Sequence, residues 1–222
     1  MRIIASFYKH EQVMFVSHLD MQRLFQRAFR RADLPLAYSN GFNPHPLLSF
    51  ATALSVGYTS DCEYFDVMLS EYVSPAEFKR RVNAVLPQGV HIVDAVDAGE
   101  FKASLTPLMR SAEYDIELEF VAPVPREAFY AAVDEILNGG EIIVSKKTKG
   151  GIKDVDIRPM LLGLSVSEFG GRTAKLRLRG KLTAEGGLSP ELLLGAFYKK
   201  LGTSANSSVN RRNIEMDWTV IA

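Results

Sequence analysis

Cysteine is nearly absent from this chain of 222 residues, in which Cys62 stands alone. One thiol excludes an internal disulfide, an all-cysteine zinc site and a self-contained iron–sulfur cluster. Histidine is scarce as well, with 4 in all. Beyond His18 and His45 no third histidine or cysteine falls at ligand spacing, so no metal is expected. No run of about eighteen apolar residues occurs, which argues against a transmembrane helix. The opening Met1–Phe7 has no signal-peptide layout, so the expectation is a cytoplasmic protein without a membrane partner. Neither sign of charge is in surplus: Lys plus Arg and Asp plus Glu number 26 each. Net charge therefore argues neither for nor against nucleic acid.

What is present is an ordinary core, since 47% of residues are hydrophobic and 23% charged. The charge is segregated along the chain. From Glu141 to Lys181 there are ten basic and four acidic residues, and from Phe101 to Gly140 three basic and seven acidic.

Periodicity divides the chain into two halves. Arg2–Lys9 reads as a strand and Val13–Val16 as a short second one. Ser17 is placed as an N-cap, with Asp20 three residues on in the capping-box position. Met21, Leu24, Phe25, Ala28, Phe29 and Ala32 then form one apolar helical face. Extended stretches are expected over Leu47–Val56, Tyr64–Leu69 and Val90–Val96, with a helix from Ser74-Pro75 to Leu86. In the second half, Glu113–Phe120 and Thr173–Leu182 alternate strictly, and a short strand is expected at Ile142–Ser145. Helices are expected over Pro125–Leu137 and Pro190–Leu201, and a last strand over Asn213–Val220. Each half then runs strand–helix–strand–strand–helix–strand. The predicted fold is α+β, two tandem ferredoxin-like (split βαβ) units over 1–100 and 108–222, joined near Lys102–Pro107. First and third strands of such a unit are neighbours. That sets Glu113, Asp115, Glu117 and Glu119 beside Lys175, Arg177, Arg179 and Lys181 as a structural charge ladder.

Chemistry concentrates in two runs, Ser17–Asp20 and Tyr38–Pro46. His18 and His45, brought together, could serve as general base and acid; equally, His18 could belong to the helix turn and His45 to loop architecture. Arg23, Arg27, Arg30 and Arg31 lie on one side of the helix without a Glu at i±4, a pattern suited to phosphate or an acidic partner. Tyr38, Asn43 and His45 would read the substrate from the loop. Lys146, Lys147, Lys149 and Lys153 form a basic loop with two glycines, yet without the P-loop spacing, so nucleotide hydrolysis is not expected and no cofactor is implied. Arg158, in Asp156-Ile157-Arg158-Pro159, completes the candidate anion-binding set. The positive end of the helix suggests an anion site framed by Ser17–Asp20 and Asn43–His45.

The run "FVSHLDMQRLFQRAFRRADLPLAYSNGFNPHPLLSF" resembles the radical-SAM-associated domain of unknown function. Leu54-Ser55-Val56-Gly57 with Glu63-Tyr64, and Asp156–Pro159, are similar to it too. The resemblance implies association with a radical SAM enzyme, free-standing or fused to a cobalamin-binding module. It also implies genomic company with ribonuclease E/G-type machinery, and hence RNA metabolism. The radical chemistry would belong to the partner. The expected function is an accessory protein that binds structured RNA or a protein partner and lacks catalytic activity of its own. Alternatives are a metal-independent endoribonuclease of the CRISPR repeat-processing type using His18 and His45, and a protein-docking scaffold.

Overall fold

β1 (Arg2–Lys9) forms the buried centre of the first unit. It is followed by α1 (His18–Arg31), the short β2 (Leu48–Phe50), β3 (Thr59–Met68), α2 (Pro75–Asn83) and β4 (Val90–Asp97). The computed structural model describes residues 1–99, 101, 103–148 and 151–220. Two compact units emerge. One comprises Met1–Met109, to which the chain returns from Met216 onward, and the other Arg110–Glu215. The first sheet is ordered β4-β1-β3-β2, each neighbouring pair antiparallel. Ile3, Phe7, Phe65 and Ile92 of the strands pack on Phe25, Phe29, Phe78 and Val82 of the helices, all 2% exposed or less.

α1 follows its apolar period: Met21, Phe25, Ala28, Phe29 and Ala32 are buried and Leu24 partly so. It ends where Asp33 adopts φ 51, the only non-glycine residue with positive φ among those described. The Leu34 N–H reaches the Phe29 carbonyl (3.1 Å) and the Asp33 N–H the Arg30 carbonyl (3.0 Å), a Schellman ending. Val13–Val16 is not the expected strand. Glu11–Val13 is a 3-10 helix, and buried Lys9 donates from Nζ to the carbonyls of Met14 (2.9 Å) and Val16 (3.1 Å). Those two acceptors are thereby taken by a side chain.

The second unit contains β5 (Met109–Phe120), α3 (Arg126–Asn138), β6 (Ile143–Thr148), β7 (Gly151–Asp156), β8 (Leu161–Phe169), β9 (Thr173–Thr183), β10 (Gly186–Gly187), α4 (Pro190–Leu201) and β11 (Ala205–Met216). β11, β5 and β9 are successive neighbours, and β8 and the two-residue β10 both pair with β9. The charge ladder takes its expected register, Glu113 opposite Arg179, Asp115 opposite Arg177 and Glu117 opposite Lys175. Arg177 bonds Asp115 at 3.0 Å and Lys175 lies 3.5 Å from Glu117, while Arg179 turns to Glu215 at 2.6 Å.

The expected α+β architecture is present, with antiparallel sheets and four helices among the described residues. Three expectations in this half need correction. The basic stretch is a hairpin, β6 with β7, forming its own two-stranded sheet. The strand beside β9 is β8, where no strand was expected, because register shifts at Leu161/Gly163 and Val166/Glu168 break its period-two pattern. The last strand begins at Ala205, hidden in the sequence by the polar run Asn206–Ser208, and ends at Met216; Trp218–Val220 is a 3-10 turn. No helix among the described residues is long and apolar enough to cross a membrane.

Candidate nucleic-acid interface

Ser17 opens α1 from an extended conformation. Its Oγ accepts from the Asp20 N–H (3.2 Å) and donates to Asp20 Oδ2 (2.8 Å). Asp20 Oδ1 accepts from Arg23 Nη1 at 2.9 Å. The Ser17 hydroxyl first, and Arg23 second, hold the Asp20 carboxyl below the ordinary carboxylate value. A depressed carboxyl contributes stability above its unfolded value and loses that contribution as pH falls through the folded one. An NMR titration of the Asp20 carboxyl carbon is therefore expected to give a midpoint below 3.8, the unshifted value. Ser17→Ala should raise that midpoint more than Arg23→Ala does. A wild-type midpoint at or above 3.8 would refute this geometry.

The two histidines do not meet. The His18 ring stands edge-on to Phe50 (centroids 5.5 Å apart) with Nε2 3.3 Å from Gln22 Nε2. It lines a cavity of about 20 Å³ shared with Lys9 and Glu63, which is room for about one water. Burial pushes the Lys9 ammonium down in pKa, with Glu63 partly opposing. His45 lines a different cavity, of about 510 Å³, beside Arg2, Asp66 and Phe101. Its backbone N–H donates to Ser39 Oγ (3.1 Å), and that oxygen lies 2.9 Å from Nδ1. The Ser39 N–H returns to the His45 carbonyl at 2.9 Å, so the loop is closed on itself. Paired acid–base chemistry needs both groups at one substrate atom. His18 and His45 occupy separate cavities instead.

The arginines divide by partner. Arg23 is paired with Asp20, an acid at i−3 that a search at i±4 passes over. Arg31 donates from Nη2 to the Val85 carbonyl at 2.9 Å. Arg27 and Arg30 are exposed and make no hydrogen bond or ion pair with the described residues. Arg158 is structural: it donates to the carbonyls of Leu137 (2.7 Å), Gly139 (3.4 Å) and Leu161 (3.4 Å), closing the C-terminal end of α3. Lys146 on β6 stands opposite Lys153 on β7, and both are exposed. Lys147 lies on β6 opposite Ile152. Lys149 is outside the described residues, as is Lys102 of the expected linker.

Three exposed apolar side chains extend this picture. Phe15, two residues before the Ser17 cap of α1, is 75% exposed, Leu19 in the first turn 62%, and Phe42 in the loop fully. Tyr38 and Asn43 are exposed with it, and Gly41 holds φ +121. Sequence reasoning did not single out Phe15, Leu19 or Phe42. For Phe42 a signal existed, an aromatic between Gly41 and Asn43 in a stretch with no apolar period. Unpaired guanidinium groups hold phosphate, and uncovered aromatic faces stack on bases. Among the described residues no three His, Cys, Asp or Glu gather to hold a metal ion.

A protein-family model described as an uncharacterized protein conserved in bacteria (DUF2344) matches residues 2–190. No curated protein matches the chain. The fold is similar to that of chains in three solved complexes. One is a Cbf5-Nop10-Gar1 complex (TM-score 0.56, 12% identity, 96% of this chain and 48% of that one). Another is an H/ACA RNP bound to a substrate RNA containing 2'-deoxyuridine (TM-score 0.54, 13% identity, 96% and 47%). A third is the archaeal box H/ACA sRNP Nop10-Cbf5 complex (TM-score 0.51, 12% identity, 94% and 46%). The chain thus spans about half the length of the solved chains it matches. At such identities the likeness is one of fold.

Proposed function

We propose that this chain, which belongs to the DUF2344 family of uncharacterized proteins conserved in bacteria, is an RNA-binding accessory module without a catalytic centre of its own. The observation that carries this reading is the solvent side of α1. Arg27 and Arg30 are exposed there and neither hydrogen-bonds nor ion-pairs with a carboxylate among the described residues, while Leu19 in the first turn and Phe15, two residues before the Ser17 cap, are exposed as well. A solvated helix face normally mixes charges of both signs and pairs them. Here the only acid of the first turn, Asp20, is spent on Ser17 and Arg23. Two of the neighbours that share the fold are named as H/ACA ribonucleoproteins, which agrees with the reading.

Three finer points go with the proposal. Each unit is read as a ferredoxin-like split βαβ, on the strand orders β4-β1-β3-β2 and β11-β5-β9-β8. The enzyme served is a radical SAM protein, on the resemblance of residues 15–50. The setting is the cytoplasm. RNA binding is tested by filter binding of a single-stranded and a structured RNA across a salt series. Two phosphate contacts predict a log–log slope of at least about −1.4 on single strands. Absent binding, or affinity indifferent to salt, would overturn the RNA reading and leave a protein partner for the same surface.

A further inference from the structure

The cavity of about 510 Å³ in the first unit falls within the size range of small-ligand sites, about 300–1,000 Å³. Its lining mixes apolar surface, from Pro46, Leu47 and Met68, with the polar groups of Arg2, Asp66 and His45. Arg2 and Asp66 are each only 9% exposed at the side chain and sit 64 residues apart in sequence. Arg2 Nε donates to Asp66 Oδ1 (3.1 Å), and Nη1 donates to the Phe101 carbonyl (3.0 Å). The guanidinium carbon lies over the Phe101 ring, 5.2 Å from its centroid.

A buried ion pair is costly to desolvate and stabilises no more than apolar side chains of equal volume would. This one is also incompletely bonded. Asp66 Oδ2 is buried and lies 3.0 Å from Arg2 Nη2, yet it accepts no well-directed hydrogen bond from the described residues. Arg2 carries five N–H donors and spends two in directed bonds. Unspent Arg2 donors therefore lie beside the Asp66 carboxylate on the lining of a half-apolar cavity. His45 contributes at the same lining, its Nδ1 fixed by Ser39 and its Nε2 without a partner among the described residues.

We infer that this cavity is a nucleobase-binding pocket, in which the Arg2–Asp66 pair reads the polar edge of the base and Phe101 supplies a stacking surface. Every nucleobase presents a donor next to an acceptor on its pairing edge, which is what the Asp66 carboxylate beside the Arg2 Nη groups complements. Arg and Asp side chains are established partners for such edges. A phosphate or carboxylate ligand would meet the Asp66 charge, and a purely apolar one would leave the pair unbonded. The cavity of about 470 Å³ in the second unit lacks this chemistry, being lined by Glu117, Glu119 and Glu168 around Lys175. The inference extends the RNA-binding reading, although free nucleosides test it separately.

The experiment titrates the full chain with guanosine and with cytidine, using ribose 5-phosphate as the control without a base, and follows backbone amides by NMR. Nucleosides are expected to shift the amides of residues 2, 45, 66 and 101, and the sugar phosphate is not. Phe101→Ala should weaken nucleoside binding about tenfold, in keeping with one base stack. Asp66→Asn should do so by a similar factor, on protein shown to be folded by its amide dispersion. Should Asp66→Asn fail to fold, Phe101→Ala decides alone. No amide shift with either nucleoside, or equal affinity in Phe101→Ala, overturns the pocket. Salt-dependent RNA binding alongside that result would leave the α1 surface standing. Nucleoside shifts without RNA binding would support the pocket, with free nucleoside as its ligand, and sink the RNA reading instead.

Discussion

An Arg27→Ala/Arg30→Ala double variant is expected to bind RNA about a hundredfold more weakly than the native chain near 50 mM salt. Each hydrogen bond between a guanidinium and an anionic oxygen contributes about 1.5–3 kcal/mol net, and 1.4 kcal/mol is a factor of ten. The salt slope on single strands should shrink by about 0.7 per lost phosphate contact, on every RNA sequence alike. Stability should change by less than about 0.5 kcal/mol, because both side chains are exposed and touch no partner among the described residues. Arg158→Ala is the counterpart. It leaves the carbonyls of Leu137, Gly139 and Leu161 without their shared donor, so it should lower stability while keeping the salt slope. Filter binding paired with urea unfolding separates the two. An unchanged salt slope in the Arg27/Arg30 variant would remove α1 from the interface.

Phe25→Ala should cost about 3–5 kcal/mol, the range for truncating a buried phenylalanine. Phe25 is fully buried at the meeting point of the aromatic core. Its ring centroid lies 4.9 Å from those of Phe7 and Phe65, and 5.7 Å from those of Phe29 and Phe50. No one side chain can move to fill the space without losing its own contacts with the others. A loss of that size is a large fraction of the 5–15 kcal/mol that typically holds a domain folded. The first unit should therefore unfold at markedly lower urea, and the α1 surface should lose its RNA affinity with it. Denaturation followed by tryptophan fluorescence is suited to this test, since Trp218 is the one tryptophan and packs against Tyr64 of that unit. A midpoint shift worth under about 1 kcal/mol would mean the cluster is not closed around Phe25.

Both variants rest on α1, the element most fully legible in the sequence. Its cap, its buried face and its cationic side are all set by residues within a few positions of one another, and local spacing reports local geometry. The charge ladder was legible for a related reason: strict alternation fixes which side chains share a face, and a split βαβ order fixes which strands are neighbours. The bulged β8 was not, because a register shift erases the period that betrays a strand.

The sequence by itself determined the α+β class, the positions of the four helices, the face of α1 that is buried and the scarcity of histidine and cysteine. Tertiary structure alone decided the rest. It placed His18 against Phe50 and His45 at another cavity, although the two runs that carry them look like one site. It turned Arg158 from a ligand candidate into a helix closure and left Arg27 and Arg30 exposed, without a hydrogen bond or ion pair among the described residues. It also brought Arg2 to Asp66 and Lys9 beneath the turn that precedes α1. The reason is the same in each case. Whether a charged side chain is available to a ligand depends on which distant carbonyls and carboxylates the fold delivers to it, and such partners, up to 99 residues away for Arg2, leave no periodic trace in the chain.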